Sequence, residues 1–194
     1  MSKLIQLFFF IIFISCSAQK NISISFTIEN KETLNNYLID NEVKLEENDL
    51  YTIKDFNSFV YLNNNDKLQV PEILFFNSNG YLVKNRFNDN ECSQVINEIE
   101  KINSLKFNKN VTINDWLKYI SPLHQDLTEK NNIYVIINWA KFVDKFNEQS
   151  FEWYNQLKKS NSNSNLKINC ILLNLDIQEK WNLTEQQKKA LNII

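Results

Sequence analysis

The sequence predicts an α/β fold, a mixed central sheet flanked by helices, and three stretches predict it. VPEILFFNSNGYLVK, Val70 to Lys84, reads as a strand, a turn and a returning strand. IYVIINWA and LKINCILLNLD are two apolar strands separated by a helical pattern, which implies a parallel β-α-β unit with a right-handed crossover. Cys92, Val95, Ile96, Ile99 and Ile102 make one continuous apolar helical stripe, the material for a layer packed over that sheet. A chain of 194 residues, 43% hydrophobic and 23% charged, is long enough for one substantial domain or two small ones.

Charge excludes one class of partner. The net charge is −2, and a single arginine, Arg86, stands among scattered lysines. There is no basic stripe and no set of fork-shaped donors to grip a phosphate backbone, so no nucleic acid is expected. Asparagine is abundant in the way AT-rich coding bias produces, so most asparagines are discounted as functional signals.

The first element is an address. MSKLIQLFFFIIFISCSAQK carries a lysine at position 3, an apolar run from Leu7 to Ile14 and small residues after it. That is the order of an export signal over residues 1–18, too short for a permanent span. Cleavage before Cys16 would leave a lipid-carrying N-terminal cysteine, and Phe-Ile-Ser-Cys resembles a relaxed bacterial lipoprotein box with Phe13 in place of its leucine. Cleavage after Ala18 would give ordinary secretion. The preferred expectation is a lipid anchor through Cys16 in the periplasm or outer membrane, with soluble secretion as the alternative. In either case Cys92 and Cys170 would sit in an oxidising compartment that permits a disulfide, although nothing in their spacing demands one. Cys170 lies in the apolar run INCILLNL and reads as a small buried hydrophobe. Cys92 stands near a helix start, where an exposed thiolate would be favoured, but its place on the apolar stripe favours the core.

Along the rest of the chain, Ile22–Ile28 alternates as a strand with one wet face, and Leu34, Tyr37 and Leu38 have helical spacing. EVKLEEND follows as a charged connection. Its Glu46, Glu47 and Asp49 read as solvated surface rather than a metal cluster, since no histidine or ligand spacing accompanies them. LYTIK reads as a weak strand. DFNSFVYLNN reads as a helix capped by Asp55 with Phe56, Phe59 and Val60 turned inward. In the hairpin, Ile73-Leu74-Phe75-Phe76 is too continuous for a half-exposed strand, and Asn79-Gly80 turns the chain because both tolerate positive φ. Asn90 caps the striped helix. Thr112 and Asp115 open another through Trp116, Leu117 and Ile120, ended by Pro122. His124, the only histidine, lies in a polar loop and fixes no catalytic geometry. Asp144 is expected to cap the crossover helix, which presents Phe146, Phe151, Trp153, Tyr154 and Leu157. The aromatics Trp139, Phe142, Phe146 and Trp153 read as core. SNSNSN is a polar loop, and Thr184 with Gln187 is a capping box for a last helix reaching Leu191.

The strand ending in Asp176, the Val-Pro-led hairpin and the closing helix together resemble a thioredoxin-like fold, and more closely the membrane-associated thiol-disulfide oxidoreductases of exported bacterial proteins. The resemblance covers most of the mature chain in pattern but rests on two short motifs. It makes Pro71 the candidate for the structural cis-proline that lies beside that family's active site. It also aligns Trp139-Ala140-Lys141-Phe142-Val143-Asp144-Lys145-Phe146 with the aromatic-Ala-x-aromatic-Cys-x-x-Cys motif, so that Val143 and Phe146 stand where the two cysteines would be.

That departure removes the chemistry, because exchange needs a thiolate and a resolving thiol. Motif order departs too, since here the hairpin precedes the Trp139 strand. Either residues 19–108 form an N-terminal thioredoxin-like half with the Pro71 hairpin, packed against a β-α-β-α half over 109–194, or both build one permuted sheet; two similar halves are preferred. The functional expectation is a non-catalytic, redox-inactive binding or assembly module of the cell envelope, without a cofactor, that meets an envelope protein partner not identified by sequence. The alternative is a diverged thiol oxidoreductase or peroxidase-like enzyme using Cys92, the one weak catalytic candidate. A carrier of a small apolar ligand among the aromatics is a third reading.

Overall fold

The structure is a computed structural model that describes residues 26–83, 99–122, 132–161 and 167–193. Arg86, Cys92 and His124 lie outside the described residues, as do the export signal with Cys16, the caps and stripe positions from Asn90 to Ile96, and most of SNSNSN.

The expected α/β architecture is present. Nine strands are described: β1 (Ile28–Glu29), β2 (Leu50–Ile53), β3 (Glu72–Phe76), β4 (Tyr81–Val83), β5 (Phe107–Thr112), β6 (Ile120–Pro122), β7 (Ile133–Trp139), β8 (Ile168–Asn174) and β9 (Ile177–Gln178). Seven form one mixed sheet in the order β5-β4-β3-β7-β8-β2-β6, while β1 and β9 pair in parallel beside it. At its centre β7 and β8 run parallel, as the apolar runs require, with Ile133 opposite Ile168 and Trp139 opposite Asn174. β3 is antiparallel to β7 and places Glu72 opposite Asn138. β2 is parallel to β8, and β6 closes the far edge antiparallel to β2. Strands from before and after residue 108 therefore alternate across a single sheet, and β5 spans that residue.

Five α-helices are described: α1 (Lys31–Asp40), α2 (Phe56–Asn64), α3 (Ile113–Leu117), α4 (Asn147–Asn161) and α5 (Glu185–Ala190). Each face of the sheet carries its own apolar core. On one, Leu34 and Leu38 of α1 and Phe151, Trp153, Tyr154 and Leu157 of α4 pack with Phe75, Val135, Trp139, Cys170 and Leu172. On the other, Phe59, Leu62, Ile113 and Trp116 pack with Leu74, Phe76, Ile136, Ile171 and Leu173. Two covered faces explain why β3, β7 and β8 read as nearly unbroken apolar runs rather than alternating ones.

Capping chemistry largely follows the sequence. Asp55 accepts the Ser58 N–H at 2.8 Å to start α2. Thr112 with Asp115 and Thr184 with Gln187 form the two expected capping boxes. Asn30, not anticipated, forms a third with Thr33 at the start of α1.

Several details differ, each for a physical reason. α3 stops at Leu117, so Ile120 belongs to a strand, and Pro122 sits in the edge strand β6, where a missing donor is tolerated, rather than ending a helix. Val60 is exposed, and Leu62 takes the inward position on α2. Of the hairpin turn only Gly80 has positive φ, at 76°. Its N–H donates to Asn77 O at 2.7 Å, and the Asn77 side chain accepts the N–H groups of Asn79 and Tyr81 at 3.1 Å each. LYTIK is no weak strand, since all four residues of β2 are buried between neighbours. Asp49 is buried rather than solvated. Its carboxylate accepts the Tyr154 hydroxyl at 2.8 Å and pairs with Lys158 at 3.0 Å, clamping the connection before β2 onto α4.

Candidate functional site

The turn joining β7 to α4, residues 141–146, carries Val143 and Phe146, the two positions that the sequence resemblance singles out. It is a 3-10 segment, Lys141–Phe146, held from three sides. From the turn after β8, the buried Asp176 carboxylate accepts the Lys141 N–H at 2.8 Å and the Phe142 N–H at 3.3 Å. Burial raises the Asp176 pKa above the usual carboxylate range, against the pull of those N–H donors and of Asn174. Asn174 Nδ2 donates to Asp176, and Gln178 Nε2 donates back to Asn174 Oδ1 at 2.9 Å, so the carboxylate sits in a fixed polar frame.

Asp144, expected to cap the helix, lies inside the 3-10 turn, where the backbone departs from helical geometry; from the helix side it is Asn147 that ties the turn to β7. Its Oδ1 accepts the Ala140 N–H at 3.1 Å, and its Nδ2 donates to Ala140 O at 2.8 Å and to the Tyr37 hydroxyl at 2.9 Å. The Tyr37 hydroxyl donates to Asp144. Its ring stacks on Trp139 at 5.7 Å between centroids. Burial pushes the Tyr37 pKa up to about 12, with Asp144 adding to the rise. From the third side, Lys141 Nζ pairs with Glu29 of β1 at 2.6 Å. Burial opposes ionisation of Glu29, yet hydrogen bonds from Lys141, Thr27 and Thr33 hold its pKa below the usual value.

The turn is rigidly built but presents no thiol. Val143 is half-buried, and Phe146 is 51% exposed rather than packed in the core as its spacing suggested. The Val70–Pro71 peptide bond is cis, and Pro71 lies beside this turn. Pro71, Phe146, Lys145, Glu148, Gln149 and Glu152 line one surface hollow of about 530 Å³. A second hollow of about 690 Å³ shares Lys145, Glu148 and Glu152 and continues along α4 past Asp144 to Glu42. Pro71 and the exposed ring of Phe146 thus share the lining of one hollow.

Among the described residues, Cys170 is the one cysteine, and it is 1% exposed. Burial pushes its thiol up to about 12. The described residues contain no group of three or more histidine, cysteine, aspartate or glutamate side chains arranged to hold a metal ion. No helix among them is long and apolar enough to cross a membrane. Trp139 and Trp153 are core, as expected, while Phe142 is half-buried against Phe26 at 4.9 Å.

Sequence reasoning missed the residues that hold this turn. Glu29, Asn147 and Asn174 carried no motif, and the compositional excess of asparagine hid the two that are wholly buried. Asp176 was legible as a strand end but not as the acceptor of the turn. Compared with known proteins, the chain matches no family model, no curated protein and no solved structure.

Proposed function

We propose that this chain is a redox-inactive module of thioredoxin-like fold, exported and lipid-anchored through Cys16, that binds a protein partner in the cell envelope. The observation that carries the reading is the turn 141–146. It is held by Asp176, Asn147 and Glu29, and beside the exposed Asp144 and Lys145 it offers one large apolar side chain to solvent, Phe146. An exposed aromatic at the rim of a hollow suits contact rather than chemistry.

The sheet supports the fold half of the proposal. Its β4-β3-β7-β8-β2 segment has the parallel β-α-β centre, the antiparallel hairpin beside it and the further parallel strand of a thioredoxin-like sheet, with the hairpin moved ahead of the centre in sequence. Cys170 offers no route back to redox work, because it is buried and its thiolate is disfavoured.

Site-specific photocrosslinking in intact envelopes tests the binding half. A crosslinker at position 146 is expected to yield a discrete protein adduct, while one at Ile39, 69% exposed on α1, is not. Equal adducts at both positions, or none at 146, would remove the proposal. Loss of membrane association on Cys16→Ala tests the anchor separately.

A further inference from the structure

Away from the turn, Thr52, Ser121 and Lys180 arrive from three different elements and meet. Thr52 of β2 and Ser121 of β6 stand directly opposite each other in the antiparallel register. Lys180 lies in the short 3-10 turn Glu179–Trp181 that follows β9. Its Nζ donates to Thr52 Oγ1 at 2.8 Å and to Ser121 Oγ at 3.0 Å. The neighbouring Trp181 holds the turn in place, its Nε1 donating to Ile53 O at 3.0 Å.

Among the described residues the Lys180 ammonium is held by two hydroxyl oxygens, with no acidic side chain within ion-pairing distance. Burial lowers its pKa, and no neighbouring acid offsets that effect. Thr52 is fully buried, so it anchors the amine. Ser121 is half-buried on the edge strand. A hydroxyl that accepts from an ammonium keeps its own O–H, and an ammonium that donates twice keeps a third hydrogen. Two donors therefore remain, on the exposed Lys180 and the half-buried Ser121, and among the described residues no carboxylate pairs with the charge.

We propose that Lys180 and Ser121, positioned by Thr52, form a receptor for an oxyanion, a phosphate or carboxylate group carried by a ligand or a partner of this protein. The anion supplies the counter-charge the site lacks, and its oxygens accept from both donors. By linkage, an anion that prefers the charged amine raises the pKa of Lys180 as it binds. This site is separate from the surface around Phe146 and stands whether or not that surface binds a protein.

The test is a titration of the full mature chain, with lysine side chains isotopically labelled, followed through the Lys180 Nζ-adjacent carbon by NMR. Sodium phosphate and sodium acetate are compared with sodium chloride at constant ionic strength. Saturation with phosphate alone assigns the tetrahedral anion, and saturation with acetate alone or with both admits the carboxylate. In either case the midpoint of Lys180 titration should rise, and Ser121→Ala should weaken binding by about threefold to tenfold through loss of one donor. A response that does not saturate, that chloride reproduces, that Lys44, an exposed lysine in the connection between α1 and β2, shares equally or that Ser121→Ala leaves unchanged overturns the proposal. Lys180→Gln should abolish saturation. If that variant does not fold, the wild-type and Ser121→Ala titrations decide.

Discussion

The buried carboxylate of Asp176 accepts the backbone N–H of Lys141, joining the turn after β8 to the turn after β7 at 2.8 Å. A sheet whose two central strands end side by side thus closes that end with one acid. Asp176→Asn keeps the shape, removes the charge and turns one acceptor into a donor facing Asn174. The loss should be about 1–3 kcal/mol, the range for disturbing buried hydrogen bonds. Its pH dependence has a definite sign. The folded pKa is raised, so the wild type gains from this group below the unfolded value and loses that gain as pH rises through the folded pKa. The deficit of the variant is therefore largest near pH 4 and shrinks toward pH 7. Urea unfolding of both proteins across that range checks it, and a deficit that grows with pH would contradict it.

Lys141→Met leaves the Glu29 carboxylate 2% exposed and without its cation. Lys141 itself is partly solvated, so the cost should be about 2–3 kcal/mol, below that of a fully buried broken pair. Here the sign is opposite. The folded pKa of Glu29 is lowered, so its stabilisation is present above the unfolded value and lost as pH falls through the folded one. The gap between variant and wild type should close in acid, read from denaturation midpoints at pH 3 to 7.

Cys170 should not react with a small alkylating reagent in native protein at pH 8. It is 1% exposed and its thiol is pushed up to about 12, so thiolate and access are both lacking. Peptide mapping after timed alkylation should find it modified only once the protein is unfolded. Cys170→Ser should cost about 1–3 kcal/mol, since a hydroxyl replaces a weakly polar thiol in an apolar core.

Gly80→Ala probes the hairpin turn. The φ of 76° is left-handed, and an added Cβ would stand 3.1 Å from Ile113 Cγ2. The expected cost is about 1–2 kcal/mol, the usual penalty for placing a side chain in that region. Chemical denaturation measures it, and a neutral result would mean that the turn relaxes freely.

What the sequence made legible was what repeats along a chain. The apolar runs of β3, β7 and β8 gave buried strands because few polar residues interrupt them, and the caps at Asp55, Thr112 and Thr184 are local chemistry that reads at three-residue spacing. β5 was missed because FNKNVT alternates weakly at a sheet edge and resembles a polar loop. Phe146 was misplaced because helical spacing was carried back across the 3-10 turn, where the periodicity of α4 does not hold. The polar frame around Asp176 was invisible for a different reason. Asn174 meets Asp176 locally, but Glu29 reaches Lys141 and Lys141 reaches Asp176 through pairings far apart in sequence, and no spacing rule encodes a contact between β1 and the end of β7.

β2 and β3 both lie within the first 76 residues, yet β7 and β8 stand between them, with Glu72 opposite Asn138 and Leu50 opposite Leu172. Before the last third of the chain is present, β3, β4 and β5 can pair as a three-stranded antiparallel edge, while β2 can pair only with β6, as a two-stranded ribbon that is marginal in water. The sheet cannot close until Asn174 has been made. Assembly is thus postponed to the end of synthesis, and contacts spanning more than a hundred residues make that last step slow.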